Sequence, residues 1–488
     1  MILVLSLALS LGAQTTDIGS RLELFADGGL IERLAGGARR VLHRPEPREV
    51  SLVMDRPWEG NAVNYVTVFR DGERYRMYYR GANSAYTKDS YTDTHRDVTC
   101  YAESSDGIHW TKPVLRLFEY EGSKENNIVW DGTGRHNFTP FRDGNPGAGA
   151  EARYKALGSG NEPGGKGLFA FRSPDGIHWT VMGNAPVITK GAFDSQNLAF
   201  WDSVRGEYRE YHRDFLDTGR DIRTGTSKDF LHWTEPEFLR YAPGRTSELY
   251  TNQVLPYYRA PHLFLGFPTR YVDRGWTKSA EALPRPEYRR LRGSKSRREG
   301  TAVTDGMFMV SRDGGSFEIW PESFLRPGLR LRDAWFYGDT YQNWGLVETK
   351  SALEDAPAEI SMYVTESTMQ ERTAYLRRYT IRVDGFVSVT APLSGGEVLT
   401  KPVRFRGDRL VLNYSTGAAG SVRVEIQDAN GHALKGFTMA DAEELYGDSL
   451  EQQVEWKGGA SVASLEGKDV RFRFELRDAD LYSYRVVR

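Results

Sequence analysis

The chain has 488 residues, 12% of them aromatic and 50 of them glycine, with a formal net charge of −2. That length exceeds what a single hydrophobic core serves. The near-neutral charge excludes a general nucleic-acid binder, which would be basic. A lone cysteine, Cys100, excludes an internal disulfide framework and reads as a small buried strand residue rather than a nucleophile.

In chain order, residues 1–13 form an apolar run that is too short to span a bilayer. The run has the character of a secretion-signal core with a cut after Ala13, which predicts a secreted or periplasmic protein. No other segment is long and apolar enough to cross a membrane. Residues 22–53 read as short extended pieces interrupted by Gly28-Gly29, Pro45 and Pro47, and are expected to add a strand to the last of the repeats that follow.

Those repeats are marked by one stretch. Ser104-Ser105-Asp106-Gly107-Ile108-His109-Trp110-Thr111 returns as Ser173-Pro174-Asp175-Gly176-Ile177-His178-Trp179-Thr180 and as Ser227-Lys228-Asp229-Phe230-Leu231-His232-Trp233-Thr234. A looser copy runs from Ser311 through Asp313-Gly314 to Phe317. Recurrence on this scale signals one supersecondary unit repeated. Asp-Gly is a turn dipeptide because Gly supplies a positive φ without strain. The Ser and Asp can bond the local amides, and the Trp is a large apolar anchor between neighbouring sheets. His109, His178 and His232 occupy one repeat each, so no fold brings them to one metal, and no metal-ligand set is predicted.

The first strands of the first three units start at Asn64, Asn137 and Asn197, those of the fourth and fifth at Val254 and Tyr341, and each is followed by a second strand such as Arg74-Tyr75-Arg76-Met77-Tyr78-Tyr79-Arg80-Gly81. Five such four-stranded units predict an all-β fold, a five-bladed β-propeller over residues 17–390. After Pro392, short alternating strands between Gly and Asp turns predict a C-terminal β-sandwich over residues 391–488.

The staple copies, the Arg-Tyr-Arg-Met-Tyr-Tyr-Arg-Gly strand and the trailing sandwich resemble the five-bladed propeller glycosidases: glycoside hydrolase families 32 and 43 and their relatives, including the family 130 phosphorylases. The resemblance implies carboxylates around a central cavity, one to protonate the leaving oxygen and another to act as base or nucleophile. Phe141-Arg142-Asp143-Gly144 is similar to the family 32 motif that bears a stabilising Asp. It also aligns with Phe69-Arg70-Asp71-Gly72, and both precede an Arg-Tyr strand, which places Asp143 in a hairpin turn away from the cavity. The family's blade-one Asn-Asp-Pro is replaced by Trp58-Glu59-Gly60-Asn61.

Topology puts the starts of the first strands and the ends of the second strands on one face. The acids there are Asp194 and Glu248, expected as the catalytic pair, with Glu59 in support. Arg80, Arg213, Arg270, Asn61, His136, Asn197 and Asp339 are expected to bind substrate. The arginines suit acidic sugar groups or phosphate through forked bonds. Residues 273–301 carry seven Lys and Arg from Arg285 to Arg298, and read as a solvated loop or as a lid over an anionic glycan.

These observations lead to a secreted glycoside hydrolase acting on a poly- or oligosaccharide, neutral or anionic, with no nucleic-acid or membrane partner. It would require no cofactor, with room for a structural cation near the axis. Two alternatives stand beside it: a phosphorylase of the same fold, which phosphate-dependent turnover would reveal, and a non-catalytic glycan-binding propeller, which would bind without releasing product.

Overall fold

The computed structural model describes residues 15–161, 164–245, 247–459 and 461–488. The signal expected at residues 1–13 lies outside them. The chain divides into two compact units. One is Arg44–Val383; the other joins the residues up to His43 with Asp384–Arg488.

Among the described residues, Arg44–Val383 holds five sheets of four or five strands, each built around an antiparallel meander and following one another along the chain, beside a three-stranded and a two-stranded sheet. The first is Thr67–Asp71, Arg74–Gly81, Val98–Ser104 and Ile128–Trp130. The second is Thr139–Arg142, Tyr154–Gly160, Gly167–Ser173 and Thr180–Val181. The third is Leu198–Asp202, Glu207–Leu216, Gly219–Ser227 and Glu237–Phe238. The fourth is Leu255–Tyr257, Ala260–Gly266, Met309–Ser311 and Ser316–Ile319, with Arg240–Ala242 added in parallel. In the fifth, Tyr341–Gln342 and Val347–Thr349 pair with Glu359–Glu366, followed by Tyr375–Arg382 and the early strand Glu46–Val53.

The repeated stretch forms the same turn four times. In the second copy, the Ser173 hydroxyl accepts the Gly176 amide (2.8 Å), and Asp175 Oδ1 accepts the amides of Ile177 and His178 (2.8 Å each). Ser104–Asp106, Ser227–Asp229 and Ser311–Asp313 repeat these bonds. The residue after the Asp has φ between +71° and +79° in every copy. It is Gly in three of them and Phe230 in the third.

That turn is also where adjacent sheets are clasped. The fifth residue of the second strand is a tyrosine in the first, third and fifth sheets. Tyr78 donates to the Gly176 carbonyl (2.8 Å), Tyr211 to Gly314 (2.7 Å), and Tyr363 to Gly107. Each donor therefore reaches the next sheet's turn, and Tyr363 reaches from the fifth sheet back to the first. Leu157 holds the corresponding place in the second sheet. There Phe230 supplies the contact instead, its ring 5.6 Å from that of Phe141. Trp179 packs edge-on against Tyr78 and Phe138, and Trp110 against Tyr363.

The first and fifth sheets also meet along their inner strands. Val68 N–H donates to the Trp344 carbonyl (2.8 Å), and Trp344 N–H to that of Val66 (3.0 Å). The backbones approach so closely that a Cβ on Gly345 would stand 1.9 Å from the Val68 carbonyl oxygen. The arrangement is propeller-like.

The N-terminal boundary differs from the sequence reading. Only Glu46–Val53 joins the fifth sheet. Ile31–Gly36 pairs with Gly396–Thr400, and Arg39–Leu42 with Val387–Ala391. The reason is apolar: Ile18, Phe25 and Leu30 complete the core formed by Val398, Phe405, Phe472 and Phe474. Two long strands, Arg409–Asp428 and Asp469–Val487, run antiparallel through this ten-stranded sheet, and both halves of the sheet share that core. Among the described residues no helix is long and apolar enough to cross a membrane.

Candidate functional site

The starts of the inner strands are tied together by buried amides. Asn137 Nδ2 donates to the carbonyls of Phe193 (2.6 Å) and Ser195 (2.7 Å), and Asn197 Nδ2 donates to the same two. Ser195 Oγ donates to the Tyr250 carbonyl (2.8 Å). Gln253 Nε2 bridges Gln196 Oε1 (2.8 Å) and the Gln342 carbonyl (2.9 Å). Buried polar groups require partners, and here they find one another across neighbouring sheets. Asn197 thus positions backbone; its place in this lattice explains the polar ring seen in the sequence. Asn61 does likewise, donating to the carbonyls of Ser84 (2.8 Å) and Gln370 (2.7 Å) and accepting from the Ser84 amide.

One acid in this rim turns outward. Asp194, flanked by buried Phe193 and Ser195, has 65% of its side chain exposed. His136 Nε2 stands 3.2 Å from Asp194 Oδ1, and its Nδ1 stands 2.6 Å from Asp97 Oδ2, so the imidazole bridges two carboxylates. Arg80 Nη1 lies 3.1 Å from the same ring and is fixed by two bonds to the Ala62 carbonyl. Tyr65 donates to Asp194 Oδ1 (3.3 Å), with the Arg80 guanidinium 4.9 Å over its ring. Tyr65 adopts φ +59°, a conformation costly for an aromatic residue, of the kind that concentrates at functional sites. Arg213 is held by the Ala192 carbonyl and lies 4.8 Å over Tyr250.

These neighbours set the charge states. The His136 bond, working against burial, and the charges of Arg213, His136 and Arg80 hold the Asp194 carboxyl well below its ordinary range. Burial and Arg80 push the His136 imidazolium down, but the bonds to Asp194 and Asp97 outweigh them and raise it. Burial, then the adjacent Tyr250 and Asp194, keep the Tyr65 phenol protonated as a donor. Sequence reasoning names Asp194, His136, Arg80 and Arg213, and the fold brings these four together. It misses Tyr65, whose backbone twist has no sequence signal, and Asp97, which stands in a loop of charged residues.

Glu248 lies beyond Tyr250. Its Oε2 accepts from Arg220 Nη1 (2.6 Å) and from the Arg220 amide (3.1 Å). Arg213 and Arg220 both stack on the Tyr250 ring, at 4.8 and 5.7 Å, so this one ring is shared by the arginines of the Asp194 and Glu248 groups. Tyr250 also begins an aromatic cluster with Tyr337, Tyr341 and Tyr271. Residues 273–301 close over this cluster with the helices Lys278–Glu281, Pro286–Lys295 and Arg297–Thr301. Three of their cations are anchors. Arg292 bonds Glu299 (2.9 Å) and the Tyr337 carbonyl (3.1 Å). Arg289 bonds the Trp335 carbonyl (2.9 Å), and burial beside Arg292 pushes its guanidinium down to about 10. Arg285 holds Asp333 and Glu371. The insert therefore brings an unforeseen acid, Glu299, under Tyr86 and against the tyrosine cluster.

Three predicted residues stand apart from this group. Glu59 is fully buried and bonded by Tyr79 (2.6 Å), Lys112 (2.7 Å) and the Arg56 amide (2.9 Å), which makes it a structural counter-ion. Arg270 forms a forked pair with Asp305 (2.6 and 2.8 Å) in a separate cavity. Asp339 is buried near Glu366, and burial followed by that charge pushes it up to about 7. Among the described residues no group of three or more His, Cys, Asp or Glu is placed to hold a metal ion.

No family model and no curated protein matches the sequence. Solved structures match over about 70% of the chain. A glycosyl hydrolase from Bacteroides ovatus matches at 14% identity and a TM-score of 0.40, covering 71% of this chain and 94% of that one. A structure described within the family 130 mannoside phosphorylases and the β-1,2-mannoside hydrolases among them matches at 13% and 0.41, covering 69% and 94%. An N-acetylgalactosamine deacetylase from F. plautii matches at 12% and 0.39, covering 71% and 95%. At such TM-scores the likeness assigns no role to any residue, and the roles below come from this chain's own geometry.

Proposed function

We propose that this protein is a carbohydrate-active enzyme of the glycoside hydrolase type, with its five sheets closed as a propeller and the chemistry at the Asp194 rim. The observation that carries this reading is Asp194 itself: an exposed carboxylate, held ionised by His136, Arg80 and Arg213, beside a rim of buried Asn and Gln side chains that tie the strand starts together. Glycoside cleavage needs an ionised carboxylate as nucleophile or base and a second carboxyl to protonate the departing oxygen. Asp194 takes the first role. Glu248 takes the second; among the described residues only its Oε2 is engaged, and Tyr250 offers an aromatic surface beside the arginines of both acids. The chemistry draws on carboxylates and asks for no cofactor. Secretion remains part of the proposal through residues 1–13.

The test is turnover on a panel of oligosaccharides by the parent, Asp194→Asn and Glu248→Gln. Each variant should lose at least about a hundredfold, the low end for removing a general acid or base. A substrate with a good leaving group should restore Glu248→Gln but not Asp194→Asn, because it no longer needs a proton. Full activity in both variants refutes the assignment. If Glu248→Gln alone remains fully active, the acid is another carboxyl, and Glu299 is next. One feature favours a phosphorylase as second reading: Arg80, Arg213 and His136 all face one anionic position. Turnover that depends on inorganic phosphate would select it.

A further inference from the structure

Outside this rim the protein has a cavity of about 760 Å³, within the size range of small-ligand sites. It is built on the reverse of a small sheet, Glu248–Leu249, Thr269–Asp273 and Ala302–Gly306. Alternate side chains of a strand face opposite ways. Tyr271 joins the tyrosine cluster on one face, while Arg270 and Val272, paired in register with Asp305 and Val303, line the cavity on the other. The one sheet therefore serves two separate recesses.

The charged lining is Arg270, Arg274, Arg326 and Arg330 against Asp305 and Glu322. Arg270 is offset by its fork with Asp305. Arg274, Arg326 and Arg330 are exposed and form no ion pair with any described residue. The far wall is Trp335, held in a left-handed turn at φ +69° by its indole bond to the Gly328 carbonyl (3.1 Å). Guanidinium forks match carboxylate and sulfate oxygens, and an indole presents a flat apolar face for the C–H face of a sugar ring.

We infer that this cavity binds an anionic saccharide, one bearing uronate or sulfate groups, independently of the Asp194 rim. Three unpaired arginines fix the acidic groups, and Trp335 takes the ring. The site does not depend on the catalytic reading, because none of its residues belongs to that rim.

Calorimetric titration of the full chain with trigalacturonate, a sulfated trisaccharide and maltotriose tests this. At least one acidic ligand should bind about tenfold or more tightly than maltotriose and weaken as salt rises; which one binds identifies the anion. Replacing Arg274, Arg326 and Arg330 together by Ala should remove that preference, and these exposed positions leave the fold intact by circular dichroism. Trp335→Ala should weaken binding while keeping the salt dependence. Asp194→Asn and Arg213→Ala should bind as the parent does. The inference is overturned if neither acidic ligand outbinds maltotriose, if the triple variant binds normally, or if Arg213→Ala abolishes binding.

Discussion

Two aspartates in similar local sequence, Phe141-Arg142-Asp143 and Phe193-Asp194, occupy opposite ends of the sheets and do opposite things. Asp143 follows its inner strand. Its side chain is wholly buried, bonded by Lys155 of its own sheet and by Tyr208 of the next (2.7 Å). Asp71 repeats the pattern one sheet earlier, with Arg76 (2.7 Å) and Tyr154 (2.6 Å). Asp194 precedes its strand, lies in the open, and meets cations that leave room for a ligand. Along the second sheet's inner strand, Asn137 at the Asp194 end and Asp143 at the other stand about 20 Å apart at some 3.3 Å per residue. At the hairpin end both aspartates are spent on holding sheets together; at the strand-start end Asp194 is left exposed, which is where we propose the chemistry.

The largest expected effects test the hairpin end. Asp143→Asn leaves Lys155 buried without its counter-charge and should cost roughly 3–5 kcal/mol in denaturant unfolding. Turnover per folded molecule should stay within a few-fold. An intact fold with activity lowered by orders of magnitude would move the catalytic centre to Asp143. Trp179→Ala should cost a similar ~3–5 kcal/mol, as truncation of a large core aromatic does; a variant that unfolds like the parent means the anchor is dispensable.

Asp194→Asn is the mirror experiment. Activity should fall at least about a hundredfold, or ~2.7 kcal/mol of barrier, while the unfolding midpoint falls only modestly, because solvent screens the pairing of this exposed carboxylate. A large loss of stability would place Asp194 among the structural aspartates instead. Tyr78→Phe removes one clasp and should cost about 1 kcal/mol. In Leu157→Tyr no compensating gain is expected, because Phe230 already fills that contact.

Tests by pH dependence have opposite signs at the two ends. Burial works against Asp175 ionisation, yet the bonds from His178 and Ile177 pull its carboxyl from 3.8 down to about 2. Its stabilisation is therefore present above pH 3.8 and lost as pH falls to about 2. The deficit of Asp175→Asn should shrink over that window. Asp339 is raised from 3.8 to about 7. Its contribution is fully present below pH 3.8 and lost as pH rises through about 7. Asp339→Asn should therefore gain on the parent between pH 4 and 7. Parallel stability curves for Asp339→Asn and the parent would show that the residue does not titrate there.

The turn chemistry is legible in the residues themselves. Ser and Asp two residues apart, with a Gly behind, specify which amides they bond, and that geometry is local. It identifies four turns, the hairpin place of Asp143 and the regular second strands. Local pattern also places Asp194, His136, Arg80 and Arg213 on one face, because strand topology alone sets which ends coincide.

What lies beyond it is long-range. Arg270 reads along the chain like Arg80 and Arg213, yet it lies past the second strand on a separate small sheet, where Asp305, distant in sequence, claims it. Glu59 resembles an active-site acid along the chain, but Tyr79 and Lys112 enclose it. The cations of residues 273–301 read as a solvated loop or as a lid over an anionic glycan, whereas Arg289 and Arg292 are buried, Arg292 bonded to Glu299 and Arg289 to the next carbonyl, that of Gly300. Strand pairing of residues 16–42 with the C-terminal sheet leaves no local mark, since an apolar strand fits any complementary core. A sequence states which groups need partners; only the packed chain decides which partner each one meets, because desolvation and pairing act through space rather than along the backbone.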